Sequence, residues 1–92
     1  MTTREIARSE FRRHLDSAGR YAELRDVAWY GRDDGRAVGA VIEQRAAASF
    51  GWTLLWRESE GFLPRTTAAA FRSRDEAAQS LRAAMERLTD FD

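Results

Sequence analysis

The chain has 92 residues, 43% hydrophobic and 33% charged, with fifteen arginines against fifteen acids and no cysteine. That length supports one thin core, hence a single domain over 1–92, and the composition is globular rather than disordered. Disulfides and thiolate metal sites are excluded by the missing cysteines, lysine chemistry (Schiff base, P-loop lysine, lysine general base) by the absence of lysine, and a long-range pull on phosphate by the zero net charge.

At the N-terminus Thr2-x-x-Glu5 has the spacing of a capping box, and Ala7, Phe11, His14, Leu15 and Ala18 then fall in one helical stripe. Gly19 suits a left-handed C-cap, so a first helix is expected over about residues 3–18, with Tyr21 and Leu24 packing as the chain turns back. Asp34-Gly35 signals a hairpin with a type I′ turn. Taking that pair as the turn sets Trp29 opposite Ala40, Val27 opposite Ile42 and Gly31 opposite Val38 on one side. Tyr30 then faces Gly39 and Ala28 faces Val41 on the other.

Arg45–Ser49 connects to a strand over residues 50–57, where Phe50, Trp52, Leu54 and Trp56 alternate and so share one apolar face. Glu58-Ser59-Glu60-Gly61 reads as a turn. The extended piece from Phe62 contains Pro64, which lacks an amide donor and belongs at a sheet edge. The stretch Thr66–Phe71 is open between strand, loop and an early helical turn. Ser73-x-x-Glu76 is a second capping box, followed by Ala77, Leu81, Ala84, Met85 and Leu88 at helical spacing, which predicts a helix over about 74–89.

The expected fold is α+β: an antiparallel three- to four-stranded meander with the N- and C-terminal helices packed on one face, the face of Val27, Trp29, Ile42, Trp52 and Leu54. The opposite face, with Ala28, Tyr30, Val41, Thr53 and Leu55, is then left open.

No catalytic, metal or cofactor residues are assigned. His14 is the only histidine and has one carboxylate, Glu10, within a helical turn, so it reads as a half-buried side chain rather than a ligand. The serines lack a G-x-S-x-G elbow, the paired acids Asp33-Asp34 and Glu58/Glu60 fall in turns, and the glycines form no phosphate-binding loop. Two surfaces remain. One is the open sheet face, with Tyr30, Val41, Thr53, Leu55 and Arg57 as partner-binding residues, together with an edge strand available for β-addition. The other is the row Arg4, Arg8 and Arg12, which on one helix flank reads either as a solvated face partly neutralised by Glu5 and Asp16 or as a footprint for phosphate or an acidic partner.

The α-β-β-β-α order resembles the double-stranded-RNA-binding domain over most of the chain, as topology. That family meets RNA through its first helix and the start of its last helix, where a lysine-rich motif holds phosphates. The matching positions here are Ser73-Arg74-Asp75-Glu76, so the resemblance implies the fold while the acids oppose the contact. The pattern F-x-S-x-x-E-A-x-x-x-L from Phe71 to Leu81 also looks like the strand-to-helix junction of small bacterial and phage proteins.

The expected function is a small non-enzymatic protein-interaction module, engaging a protein partner or itself as a homodimer. An inhibitor of a host complex carried by a phage or mobile element, in the manner of an anti-CRISPR, is one instance of that class. The alternative is nucleic-acid binding through Arg4, Arg8 and Arg12. With no long apolar run and no signal-peptide core behind Met1, a cytoplasmic location without a membrane partner is expected.

Overall fold

Period-two alternation carries the middle of the chain into a sheet. A computed structural model describes residues 2–17, 25–58, 61–66 and 70–87. In it five strands form one antiparallel sheet in chain order: β1 (Thr3–Glu5), β2 (Asp26–Arg32), β3 (Ala37–Gln44), β4 (Ser49–Glu58) and β5 (Gly61–Thr66). Helix α1 (Arg8–Ser17) lies between β1 and β2, and α2 (Arg74–Arg87) follows β5. The chain is thus an α+β domain with an antiparallel meander and helices toward its two ends, as the hydrophobic pattern implied.

The fifth strand comes from the segment expected to begin the first helix. Thr3–Glu5 pairs with Arg32–Tyr30, and the buried Thr3 hydroxyl donates to Glu86 Oε2 at 3.0 Å while accepting from Arg82 Nε at 2.9 Å. Thr2 and Glu5 therefore do not form a capping box, and the helix starts at Arg8. Its stripe keeps Phe11 and Leu15 buried and His14 half-buried as expected, while Ala7 lies before the helix and is exposed. Ala18, Gly19, Tyr21 and Leu24 lie outside the described residues.

The β2–β3 register is the expected one, with Trp29 opposite Ala40, Tyr30 opposite Gly39, Gly31 opposite Val38 and Ala28 opposite Val41. It breaks at Val27, where a bulge puts Asp26 rather than Val27 opposite Ile42. The turn is not type I′, since Gly35 (φ 74°) has positive φ and Asp34 does not. Gly35 N–H donates to the Arg32 carbonyl and the Asp34 carboxylate takes the Arg36 N–H, which closes a longer loop without moving the register. At the C-terminal end Ser73 caps α2 as expected, its hydroxyl accepting the Glu76 N–H at 3.1 Å.

The helices take opposite faces of the sheet, which corrects the one-sided arrangement. Phe50, Trp52, Leu54 and Trp56 do share a face, and α2 covers it: Leu54 and Trp56 are buried with Tyr30, Ala37, Val41, Ala77, Leu81 and Met85. Helix α1 covers the reverse, where Phe11 and Leu15 pack with Val38, Ala40 and Leu55. The physical cause is β3. Its residues Ala37-Val38-Gly39-Ala40-Val41 are buried on both sides, so a single helical layer would leave one side wet.

Candidate functional site

The open sheet face does not exist in this fold. Tyr30 and Thr53 are 8% exposed, and Val41 and Leu55 are fully buried. Nor do the four share a face. Val41 pairs with Trp52 and Ile42 with Gly51, so Tyr30 and Val41 lie under α2 while Thr53 and Leu55 lie on the α1 side. Of the predicted set, Arg57 alone is exposed.

Nor do the three N-terminal arginines form a helix row. Arg4 sits exposed on β1, opposite Gly31. Arg8, largely exposed, and Arg12, half-buried, both grip one carboxylate. Asp26 Oδ2 accepts from Arg8 Nε at 3.2 Å, Arg12 Nε at 3.2 Å and the Trp29 indole N–H at 2.9 Å, while Oδ1 accepts from Arg8 Nη2 at 3.3 Å and Arg12 Nη2 at 2.8 Å. The Asp26 side chain is 1% exposed. Burial pushes its pKa up, but the Arg12, Arg8 and Trp29 donors outweigh that and bring it down to about 2. This node ties α1 to the start of β2, so two of the three proposed contact arginines are spent on the fold.

A second node closes the other end of the sheet. Arg32 is 5% exposed; its Nη1 donates to the Met85 carbonyl near the end of α2 at 3.1 Å, and its Nη2 meets Asp34 Oδ2 at 3.0 Å. The Arg32 and Arg36 guanidiniums lie 5.0 Å and 5.4 Å from the Trp56 ring centroid, and Arg82 lies 5.6 Å from that of Tyr30. A charged residue closing an apolar strand is the signal that would have marked Arg32.

Two shallow recesses open at the rim. One, of about 250 Å³, lies where β1 stops short of the start of β2, lined by Glu5, Ile6, Ala28, Trp29, Tyr30 and Arg74. The other, of about 240 Å³, lies at the β3–β4 connection, a 3-10 turn over Arg45–Ala47, and is lined by Glu43, Gln44, Arg45, Ala48, Ser49 and Phe50. Phe50 also borders a half-buried aromatic group. It exchanges both main-chain hydrogen bonds with Phe71 at 2.8 Å, and Trp52 lies two residues along the same face, its indole N–H on Ser80 Oγ at 3.0 Å.

His14 keeps the expected role on α1, its Nδ1–H donating to the Glu10 carbonyl at 2.8 Å. Among the described residues no group of three or more His, Asp or Glu side chains is placed to hold a metal ion, and no helix is long and apolar enough to cross a membrane. Compared with protein-family models, curated proteins and solved structures, the chain matches none.

Proposed function

We propose that this chain is a non-enzymatic protein-interaction module that docks through side chains at the end of the sheet where β3 meets β4. The observation that carries the reading is the half-buried set Phe50, Trp52 and Phe71, packed against the α2-side core yet not sealed into it. Beside it Arg45 has 69% of its side chain exposed and pairs with Glu43 at 3.0 Å. Aromatic side chains with arginine at the margin are the residues that most often anchor protein interfaces, because they bury much area at little entropic cost. Sheet-face docking is not retained, since both faces are already covered.

The test is retention of host proteins by the immobilised domain, with native protein beside Arg45→Glu and Phe50→Ser, each confirmed as folded by circular dichroism. The expected result is a discrete protein held by the native domain and retained at least about tenfold less by either variant. Retention that survives both substitutions removes this surface. Retention that disappears on nuclease treatment, or falls steeply with salt, overturns the reading in favour of nucleic acid.

A further inference from the structure

We propose that Pro64 guards the outer edge of β5 against strand addition, keeping the domain from pairing edge-to-edge with a second copy. The inference stands on backbone register and is independent of the partner surface above.

Antiparallel strands alternate between residues that bond one neighbour and residues that bond the other. In β4 that alternation is fixed at both ends. Arg57 N–H donates to the Arg36 carbonyl, on the β3 side, at 2.8 Å. Phe50 bonds Phe71, on the β5 side, through both its N–H and its C=O. Odd-numbered β4 residues therefore bond β3 and even-numbered ones bond β5, with no bulge between, because the β3–β4 and β4–β5 registers run unbroken.

Leu54 pairs with Arg65, Trp56 with Leu63 and Glu58 with Gly61, so these β5 residues turn their backbone groups inward. Phe62, Pro64 and Thr66, opposite Arg57, Leu55 and Thr53, turn theirs outward. Proline has no N–H, so the middle one of the three outward donors is missing. A second strand laid along this edge loses a hydrogen bond at its centre and meets the ring where a donor should be.

The other edge is blunted differently. The pairing of β1 with β2 continues through Ile6 N–H to the Trp29 carbonyl and Asp33 N–H to the Thr2 carbonyl. Thr2, Arg4 and Ile6 therefore face β2, and within the strand only Thr3 and Glu5 face out. Beyond β1 the outer margin of β2 carries the bulge between Asp26 and Ala28, which twists an edge away from pairing. Among the described residues β5 is the longer of the two edge strands, and it is the one with the proline.

Two measurements test the guard. In native protein the amides of Leu63 and Arg65 are expected to be protected from hydrogen exchange, and those of Phe62 and Thr66 to exchange freely. The reverse pattern, or protection of Phe62 and Thr66, overturns the proposal. Pro64→Val restores the outward donor and is expected to tighten self-association in sedimentation at least about tenfold, ~1.4 kcal/mol. Adding Thr66→Lys to that variant is expected to return it to the native state of association, since an edge charge opposes pairing. A folded Pro64→Val protein that associates no more than the native one also overturns it.

Discussion

At the scale of single residues, the most consequential side chain is Asp26. Its carboxylate is almost fully buried and accepts five hydrogen bonds from two arginines and an indole. Removing a buried charge from its partners is costly because the remaining groups lose their counter-charge. Here the arginines keep partial access to water, with 58% and 28% of their side chains exposed, so they recover part of the loss. A pKa lowered to about 2 means the folded state holds the proton more weakly than the unfolded chain does. The stability this supplies is complete above the ordinary carboxylate range and is lost as pH falls from about 4 toward 2, amounting to roughly 2 kcal/mol. Asp26→Asn is therefore expected to destabilise by roughly 2 kcal/mol near neutrality, and by much less near pH 2, where native Asp26 is itself about half protonated. Urea denaturation of both proteins at the two pH values measures it. An equal difference at both would mean that the carboxylate's charge is not the source.

At the scale of elements, what could be read from the chain divides by how local the signal is. The aromatic alternation of β4, the hairpin register from Ala28 to Gly31, the edge position of the Pro64 strand and the Ser73 cap of α2 all depend on neighbours in sequence and appear as expected, while the type I′ turn and the Val27–Ile42 pair do not. The start of α1 does not. Thr2-x-x-Glu5 satisfies a capping pattern, but pairing to β2 and the polar contacts of Thr3 with α2 pull the segment into a strand, so tertiary contacts override the local preference. The site was misplaced for a related reason. Ala37-Val38-Gly39-Ala40-Val41-Ile42 is an apolar run without alternation, the mark of a strand buried on both faces. Weighing it as a two-sided strand would have called for a helix on each face and withdrawn Tyr30, Val41, Thr53 and Leu55 from the surface. The seating of α2 on that strand is tight at Gly39, where a Cβ would lie 2.7 Å from Leu81 Cδ1 and 3.1 Å from the Thr53 carbonyl oxygen. Gly39→Ala is expected to cost about 1–3 kcal/mol through overpacking. In a Leu81→Ala background the same substitution is expected to cost clearly less, because the clashing methyl is gone. Equal costs in the two backgrounds, read from a double-mutant cycle of denaturation midpoints, would show that the approach of α2 is not what excludes a side chain there.

For the whole molecule, the sheet is a partition between two thin cores. On one side Leu54, Trp56, Leu81 and Met85 pack beneath α2; on the other Phe11, Leu15 and Leu55 pack beneath α1. Helix α1 spans ten of the described residues, too few to hold a helix in water without tertiary packing, so it depends on Phe11, Leu15 and the Asp26 node. The α1-side core packs in turn on a sheet whose other face is covered by α2. The strand β3, buried on both faces, links the two layers. Loss of either cover exposes the same central strand to water, which makes unfolding a single event rather than the peeling of one helix. Phe11→Ala and Met85→Ala, one in each core and both fully buried in the native protein, are each expected to cost about 3–4 kcal/mol by leaving a cavity. Each is expected to shift one common transition, with far-UV dichroism of the helices and near-UV dichroism of the tryptophans melting together. Their costs are expected to add, because the two sites lie on opposite sides of the sheet and share no packing partners. A Phe11→Ala protein whose near-UV signal keeps the native midpoint while helical signal is lost earlier would show instead that α1 is a separable cover.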